Sequence, residues 1–181
     1  LTPDVTRLGD AGLVARNWDQ NANKGIISTS VVAIVVRKGN PKHISSFADL
    51  AKSGVGIVTP NPGSSGSARW NILAAYQSVI AGGGSEADAT AYLKKLFANV
   101  KALPGSGRDA STAFAGGTGD VLLSYENEAI FSRASGEDVD YVVPTDNNLL
   151  IENPAAVTTK APAAARAFPD FAISPQGQET Y

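Results

Sequence analysis

The stretch Val55-Gly56-Ile57-Val58, followed by Thr59-Pro60-Asn61-Pro62-Gly63-Ser64-Ser65-Gly66-Ser67-Ala68-Arg69-Trp70, reads as a strand, a turn and the start of a helix. Val55 to Val58 form a short apolar strand that Pro60 and Pro62 bring to a stop. From Ala68 onward Trp70, Ile72, Leu73, Tyr76, Val79 and Ile80 recur with helical spacing. The first N–H groups of a helix have no partner within it. Ser65, Gly66 and Ser67 therefore gather backbone donors, a hydroxyl and the positive end of the helix dipole at one point. A carboxylate, phosphate or sulfate suits such a point. The same residues also read as an ordinary helix cap with a flexible lead-in, and at this level both readings stand. A nucleotide P-loop fits less well, because the Gly-Lys-Ser/Thr ending is missing and Ala68-Arg69 stands in the lysine's place.

On the N-terminal side, Thr2 to Trp18 carries Val5, Leu8, Leu13 and Val14 in a loosely helical pattern broken by Gly9 and Gly12, and Asn17 to Gly25 is a polar loop. Ser30 to Arg37 is a β-branched run suited to a fully buried strand, closed by Lys38-Gly39-Asn40-Pro41. Ser46 and Asp49 make a capping box before a helical turn. Ser85 and Asp88 make a second one that opens a helix through Tyr92, Leu93, Leu96 and Phe97. Lys101 to Leu103 is a short strand, after which Pro104-Gly105-Ser106-Gly107-Arg108-Asp109 repeats the Gly/Ser turn that enters a helix. Gly119 to Glu126 is another strand running into a helix that ends near Arg133, and Tyr141 to Pro144 is one more. Strands alternating with helices predict an α/β layer with a mostly parallel sheet, and in such sheets ligands sit beyond the carboxyl ends of the strands. The turns at Ser65, Gly107 and Tyr125 all follow strands.

With 181 residues, 43% of them hydrophobic, the chain can bury a core of one or two compact units. A formal net charge of −2, from 15 basic and 17 acidic residues, favours neither nucleic acid nor an anionic membrane as a partner. No apolar run approaches the ~20 residues of a membrane span. One histidine and no cysteine give a metal site no support, and no cofactor is implied. The chain contains no methionine and opens on Leu1-Thr2-Pro3-Asp4, from which an N-terminal portion is expected to be missing.

With these turns in view, the sequence resembles the sulfate-binding proteins that feed ATP-driven sulfate or thiosulfate importers, which have the type II periplasmic binding fold. The resemblance is carried in order by Arg37 to Lys42, Thr59 to Asn71, Gly119 to Leu122, Glu126 to Ala129 and Ser174-Pro175-Gln176-Gly177-Gln178-Glu179. It implies that Ser65 gives a hydroxyl to the anion and that Gly66, Ser67 and Gly107 give backbone N–H groups. Ser67 stands where the family usually has a second glycine, and Gly107 where better-known members have a small alanine. The family's indole donor falls on Tyr125, here a phenol. Ser64, Arg69 and Arg108 are implied to flank the anion without touching it. Residues 1–34 and 147–181 are implied to be parts of a first lobe and its crossovers, with 35–146 a complete second lobe and the anion in a cleft that closes between the lobes. The implied protein is extracytoplasmic, with a membrane tether at the missing N-terminus one option, and is monomeric when intact. It would deliver sulfate, or thiosulfate, to the membrane permease of an importer.

Two other classes use the same residues. Thiosulfate, molybdate or phosphate would suit a donor-lined pocket of similar size. A serine hydrolase would need Ser65 as nucleophile, His43 as base and Asp120 as orienter. His43 is the single histidine and lies beside Lys42 in a polar turn, where a solvated side chain is the common state. Glu126 and Glu128, two apart at a strand-to-helix junction, do not make a glycosidase pair.

Overall fold

The structure, a computed structural model, describes residues 2–145 and 148–180. Its elements are α1 (Thr2–Asp10), β1 (Ile26–Arg37), β2 (Ile57–Val58), α2 (Gly66–Ala81), α3 (Glu86–Ala98), β3 (Val100–Ala102), α4 (Gly107–Ala115), β4 (Val121–Tyr125), α5 (Glu126–Ala134), β5 (Val139–Val142), β6 (Leu150–Pro154), α6 (Ala167–Ala172) and α7 (Pro175–Glu179), with 3-10 turns at Phe47–Ala51 and Ala163–Arg166. The chain divides into two compact units, one made of Ser30–Leu150 and one of Leu1–Thr29 with Ile151–Tyr181. Of the boundaries expected from sequence, 34/35 falls inside β1, and 146/147 lies outside the described residues.

The unit Ser30–Leu150 is an α/β layer whose sheet runs in the order β3-β2-β4-β1-β5. β2 pairs in parallel with both β3 and β4, while β1 inserts antiparallel between β4 and β5. β1 has the most apolar run in the chain because both its faces are covered, and Val32 to Val36 are at most 2% exposed. On one face Val35, Val58, Leu122 and Val139 pack with Ala110 and Phe114 of α4 and Ala129 of α5. The next residue of β4, Leu123, turns to the opposite face and lines a small cavity with Ile72 and Ala75 of α2 and Leu93, Leu96 and Phe97 of α3. α2 meets the sheet with Ala68, Asn71, Ala74 and Ala75, a stripe small enough to bring the helix close.

Local chemistry fixes the helix starts. Asp88 accepts from the N–H of Ser85 at 2.9 Å while Ser85 Oγ accepts from the N–H of Asp88 at 3.2 Å. Asp49 goes further and takes the N–H and the hydroxyl of both Ser45 and Ser46 at 2.7–3.2 Å, plus an ion pair with Lys52 at 2.6 Å. Burial alone would raise the Asp49 pKa, but these donors outweigh it and hold the carboxyl well below the usual carboxylate range.

In the other unit, the main chain of Leu13 accepts from the N–H of Thr159 at 2.9 Å, beside the bridge between Val14 and Thr158. Ser174 caps α7, with Pro175 in its first turn. A Cβ at Gly177 would lie 2.1 Å from the carbonyl oxygen of Phe171, so the meeting of α6 and α7 admits no side chain there. Gln178 then donates to the carbonyl oxygens of Ile27 and Ala172. The Ser-Pro-Gln-Gly-Gln segment is thus a packing device of this unit.

Candidate anion-binding site

Because β2, β3 and β4 run parallel, their carboxyl ends share one edge of the sheet. Each is followed by a helix there, β2 by α2, β3 by α4 and β4 by α5, so three helix N-termini open at that edge. The loops that lead into the first two helices are tied together. The N–H of Asn61 donates to Pro104 O at 2.8 Å, and Ser64 Oγ donates to Gly105 O at 2.7 Å. Within the first loop, Asn61 O accepts from the N–H of Ser65 at 2.8 Å and Asn61 Oδ1 accepts from the N–H of Gly63 at 2.8 Å. Arg69 Nε reaches back to Pro62 O at 3.3 Å. The Pro/Gly/Ser stretch is therefore bonded from end to end, which is what a preorganised binding loop needs.

Ser65 is the N-cap residue of α2, yet its hydroxyl makes no cap bond to the helix. Instead Ser65 Oγ and Ser67 Oγ lie 2.8 Å apart, in hydrogen-bond contact. A hydroxyl has one proton and two lone pairs. If Ser67 donates to Ser65, the Ser65 proton stays free to point outward. Gly107, the first residue of α4, comes directly against this pair, for a Cβ there would stand 3.2 Å from Ser67 Oγ. In α4 the cap is made by Ser106, whose hydroxyl accepts from the N–H of Asp109 at 3.1 Å. The N–H groups of Gly66, Ser67 and Gly107 are first-turn groups, for which the helix itself supplies no acceptor.

Tyr125 is the N-cap residue of α5 and ends β4, so it shares the same edge. Burial pushes its phenol well above its ordinary range, which keeps the hydroxyl protonated and able to donate through neutral and mildly alkaline pH. Behind it, the N–H of Asn127 donates to Ser30 Oγ at 3.4 Å. Arg108 does not stand free at the edge. Its guanidinium pairs with Glu128 at 3.3 Å and lies 4.9 Å from the centre of the Phe131 ring. The structure thus brings Ser65, Gly66, Ser67 and Gly107 together, with Tyr125 on the same sheet edge, Ser64 and Arg69 holding the loop, and Arg108 engaged by an acidic side chain.

Residues 2–181 match the family described as bacterial extracellular solute-binding protein. The chain belongs to that family. Among its relatives, the sulfate-binding protein of Synechococcus elongatus is 42% identical over 188 residues, a match that takes in 100% of this chain and 53% of that one. The thiosulfate-binding protein of Pseudomonas aeruginosa is 37% identical over 185 residues, covering 97% of this chain and 56% of its own. Among solved structures, the sulfate-binding protein SubI of Mycobacterium tuberculosis superposes with a TM-score of 0.92 at 44% identity, covering 99% of this chain and 63% of SubI. The chain spans a little over half the length of the relatives it matches.

The residues of the hydrolase reading are not brought together. Asp120 Oδ2 accepts from the N–H of Gly56 at 2.7 Å, at the amino ends of β2 and β4, whereas Ser65 lies beyond the carboxyl end of β2. His43 sits in an exposed turn after β1, which runs antiparallel to β4 and so ends on the Asp120 side. Glu128 is the partner of Arg108 and makes no carboxylate pair with Glu126 among the described contacts. Asn71, which closes the Thr59 to Asn71 motif, is a junction between α2, the Thr59 loop and β4. The sequence signal for it was an amide in an otherwise small and apolar helical stripe, Ala68, Asn71, Ala74, Ala75.

Proposed function

We propose that this solute-binding protein captures sulfate outside the cytoplasm and delivers it to the membrane permease of an ATP-driven importer. The anion is held by the Ser65 hydroxyl, by the N–H groups of Gly66, Ser67 and Gly107, and by the Tyr125 hydroxyl, with Ser64, Arg69 and Arg108 supporting the turns. The observation that carries this reading is the meeting of two helix N-termini: the first residue of α4 abuts the Ser65–Ser67 hydroxyl pair at the start of α2. That arrangement offers donors from the backbone and from neutral side chains together with two positive dipole ends. Sulfate is fully ionised at neutral pH and only accepts hydrogen bonds, so it needs nothing else. A protonated phosphate brings an O–H that requires an acceptor, and burying it unpaired costs about 1–3 kcal/mol.

The relatives named for sulfate, at 42% and 44% identity, support the ligand. Thiosulfate is the second reading, supported by the thiosulfate-binding relative at 37% identity. Calorimetric titration of the full-length protein with sulfate, thiosulfate, molybdate and phosphate tests the assignment. Sulfate or thiosulfate is expected to bind far more tightly than phosphate, and tighter binding of phosphate would overturn it.

A further inference from the structure

Asn71 lies in the second turn of α2 and is 0% exposed. Its Nδ2 donates to Thr59 Oγ1 at 3.2 Å and to the carbonyl oxygen of Leu123 at 3.0 Å. A carbonyl oxygen only accepts, so the second bond identifies which end of the amide is nitrogen. Thr59 is the residue that follows β2 and Leu123 is the middle residue of β4, so one side chain ties the helix to the carboxyl end of one strand and to the middle of its parallel neighbour. The other end of the amide is different. Asn71 Oδ1 is buried with no hydrogen-bond partner among the described residues, and Asn71 lines a cavity of about 10 Å³ whose other walls include Ile72, Leu93, Leu96 and Phe97. No charged side chain lines that cavity among the described residues.

An orphaned buried acceptor is destabilising, and an apolar side chain of the same shape would fill this space without one. Packing therefore does not account for an amide at position 71, whereas its two donated bonds do. We propose that Asn71 is a positioning residue for the anion site: it sets the height of the α2 N-terminus over the strand ends, and so the direction of the Gly66 and Ser67 N–H groups and of the Ser65 hydroxyl. This rests on reading that edge as the oxyanion site. Asn61, Ser64 and Arg69 hold the loop against the neighbouring loop and against itself, but Asn71 joins its first residue, Thr59, to the helix it leads into.

The test uses the full-length protein with Asn71→Leu and Asn71→Asp. Sulfate and thiosulfate affinity is measured by calorimetry, and amide protection at Gly66 to Arg69 by hydrogen exchange without ligand. Asn71→Leu is expected to fold with a melting temperature near that of the parent, to bind at least tenfold more weakly, and to lose protection in the first turn of α2. Asn71→Asp supplies an internal control. Its protonated carboxyl still donates one bond, while the ionised form donates none and places a negative charge under the site. Its affinity, relative to the parent at each pH, is expected to be best at pH 5 and to fall as the carboxyl ionises. Parent-like affinity and protection in a folded Asn71→Leu protein would overturn the proposal. Should that variant fail to fold, an Asn71→Asp protein with affinity and protection parallel to the parent from pH 5 to 8 would overturn it instead. If the parent binds neither anion, the functional reading fails, and the ligand-free protection still decides what Asn71 does.

Discussion

Replacing Gly107 by Ala probes the meeting of the two helices directly. Gly107 is helical and does not have a positive φ, so the backbone accepts a Cβ without strain. The added methyl would stand 3.2 Å from Ser67 Oγ, inside the 3.4–4 Å of ordinary contact, and the hydroxyl must yield by a few tenths of an ångström. A χ1 rotation well under ~30° achieves this at a cost below about 1 kcal/mol, but it pulls Ser67 Oγ away from its 2.8 Å partner, Ser65 Oγ. Loss of part of that bond is worth about 0.5–1 kcal/mol, a two- to fivefold weakening of sulfate binding if Ser67 supports Ser65 as donor. Alanine is the better helix former by about 0.5–1 kcal/mol in a helix interior and less in the first turn, so stability should stay level or rise slightly. The decisive assay is a double-mutant cycle with Ser67→Gly, read by calorimetry. Without Ser67 Oγ the methyl meets nothing, so Gly107→Ala should be neutral in that background. An equal loss of affinity in both backgrounds would refute the contact as the cause.

Ser65→Ala should weaken sulfate binding by about 1–3 kcal/mol, measured by titration, while His43→Ala leaves it unchanged. Tyr125→Phe keeps the ring and removes the donor, so affinity should fall with little change in melting temperature; unchanged affinity would make Tyr125 a packing residue alone. Since burial raises its pKa above the unfolded value, the Tyr125 phenol carries no ionisation penalty below about pH 10 and destabilises the fold as the pH rises above it, so Tyr125→Phe should flatten alkaline unfolding. Asp49→Asn should destabilise the fold by about 2 kcal/mol at pH 7. Because the folded-state pKa is depressed, that difference is present above about pH 4 and should shrink as the pH falls below it, as followed by denaturant melts.

Particular residues show why some of this was legible in the sequence and some was not. Ser30 to Arg37 announced a buried strand because five consecutive core positions leave no polar alternation, and Ser46/Asp49 and Ser85/Asp88 announced helix starts because capping is local chemistry. The direction of β1 was not announced. A run buried on both faces fits a parallel or an antiparallel neighbour, and the choice is set by pairing with Leu122 and Leu123 some ninety residues away. The strand's start at Ile26 was hidden for the same reason, since Ser28 and Thr29 read as polar and Asn153 is needed to bond Ser28 at 3.0 Å. At the site, both Gly/Ser turns were visible one at a time, but nothing in the spacing of 67 and 107 says that they touch. Serine at 67 and glycine at 107 looked like two separate departures from the family pattern. In three dimensions they are one, because the Ser67 hydroxyl stands where a methyl on residue 107 would need room.

The placement of the cations explains how such a site can be selective. A guanidinium in contact with the anion would add attraction for phosphate as well as for sulfate, and its pull would be blunted by salt. Here Arg108 is paired with Glu128 and stacked on Phe131. Arg37 lies at the far end of α4, 3.7 Å from the centre of the Phe114 ring, and donates to the carbonyl oxygens of Phe114, Thr118 and Gly119. A cation at those carbonyls complements the negative end of the α4 dipole, while at the positive end Asp109 lies in the first turn and takes the Ser106 hydroxyl at 2.8 Å. A dianion at the edge would then meet partial charges and directed N–H and O–H groups in place of a mobile counter-ion. Directed donors discriminate by which oxygens can accept. The hydroxyls are the groups in this set that can also accept, and Ser65 and Ser67 already use one lone pair and one proton on each other. Their mutual bond thus reduces what the site can offer to the O–H of a protonated anion, and Gly107, by leaving room for Ser67 Oγ, lets that bond keep its 2.8 Å length.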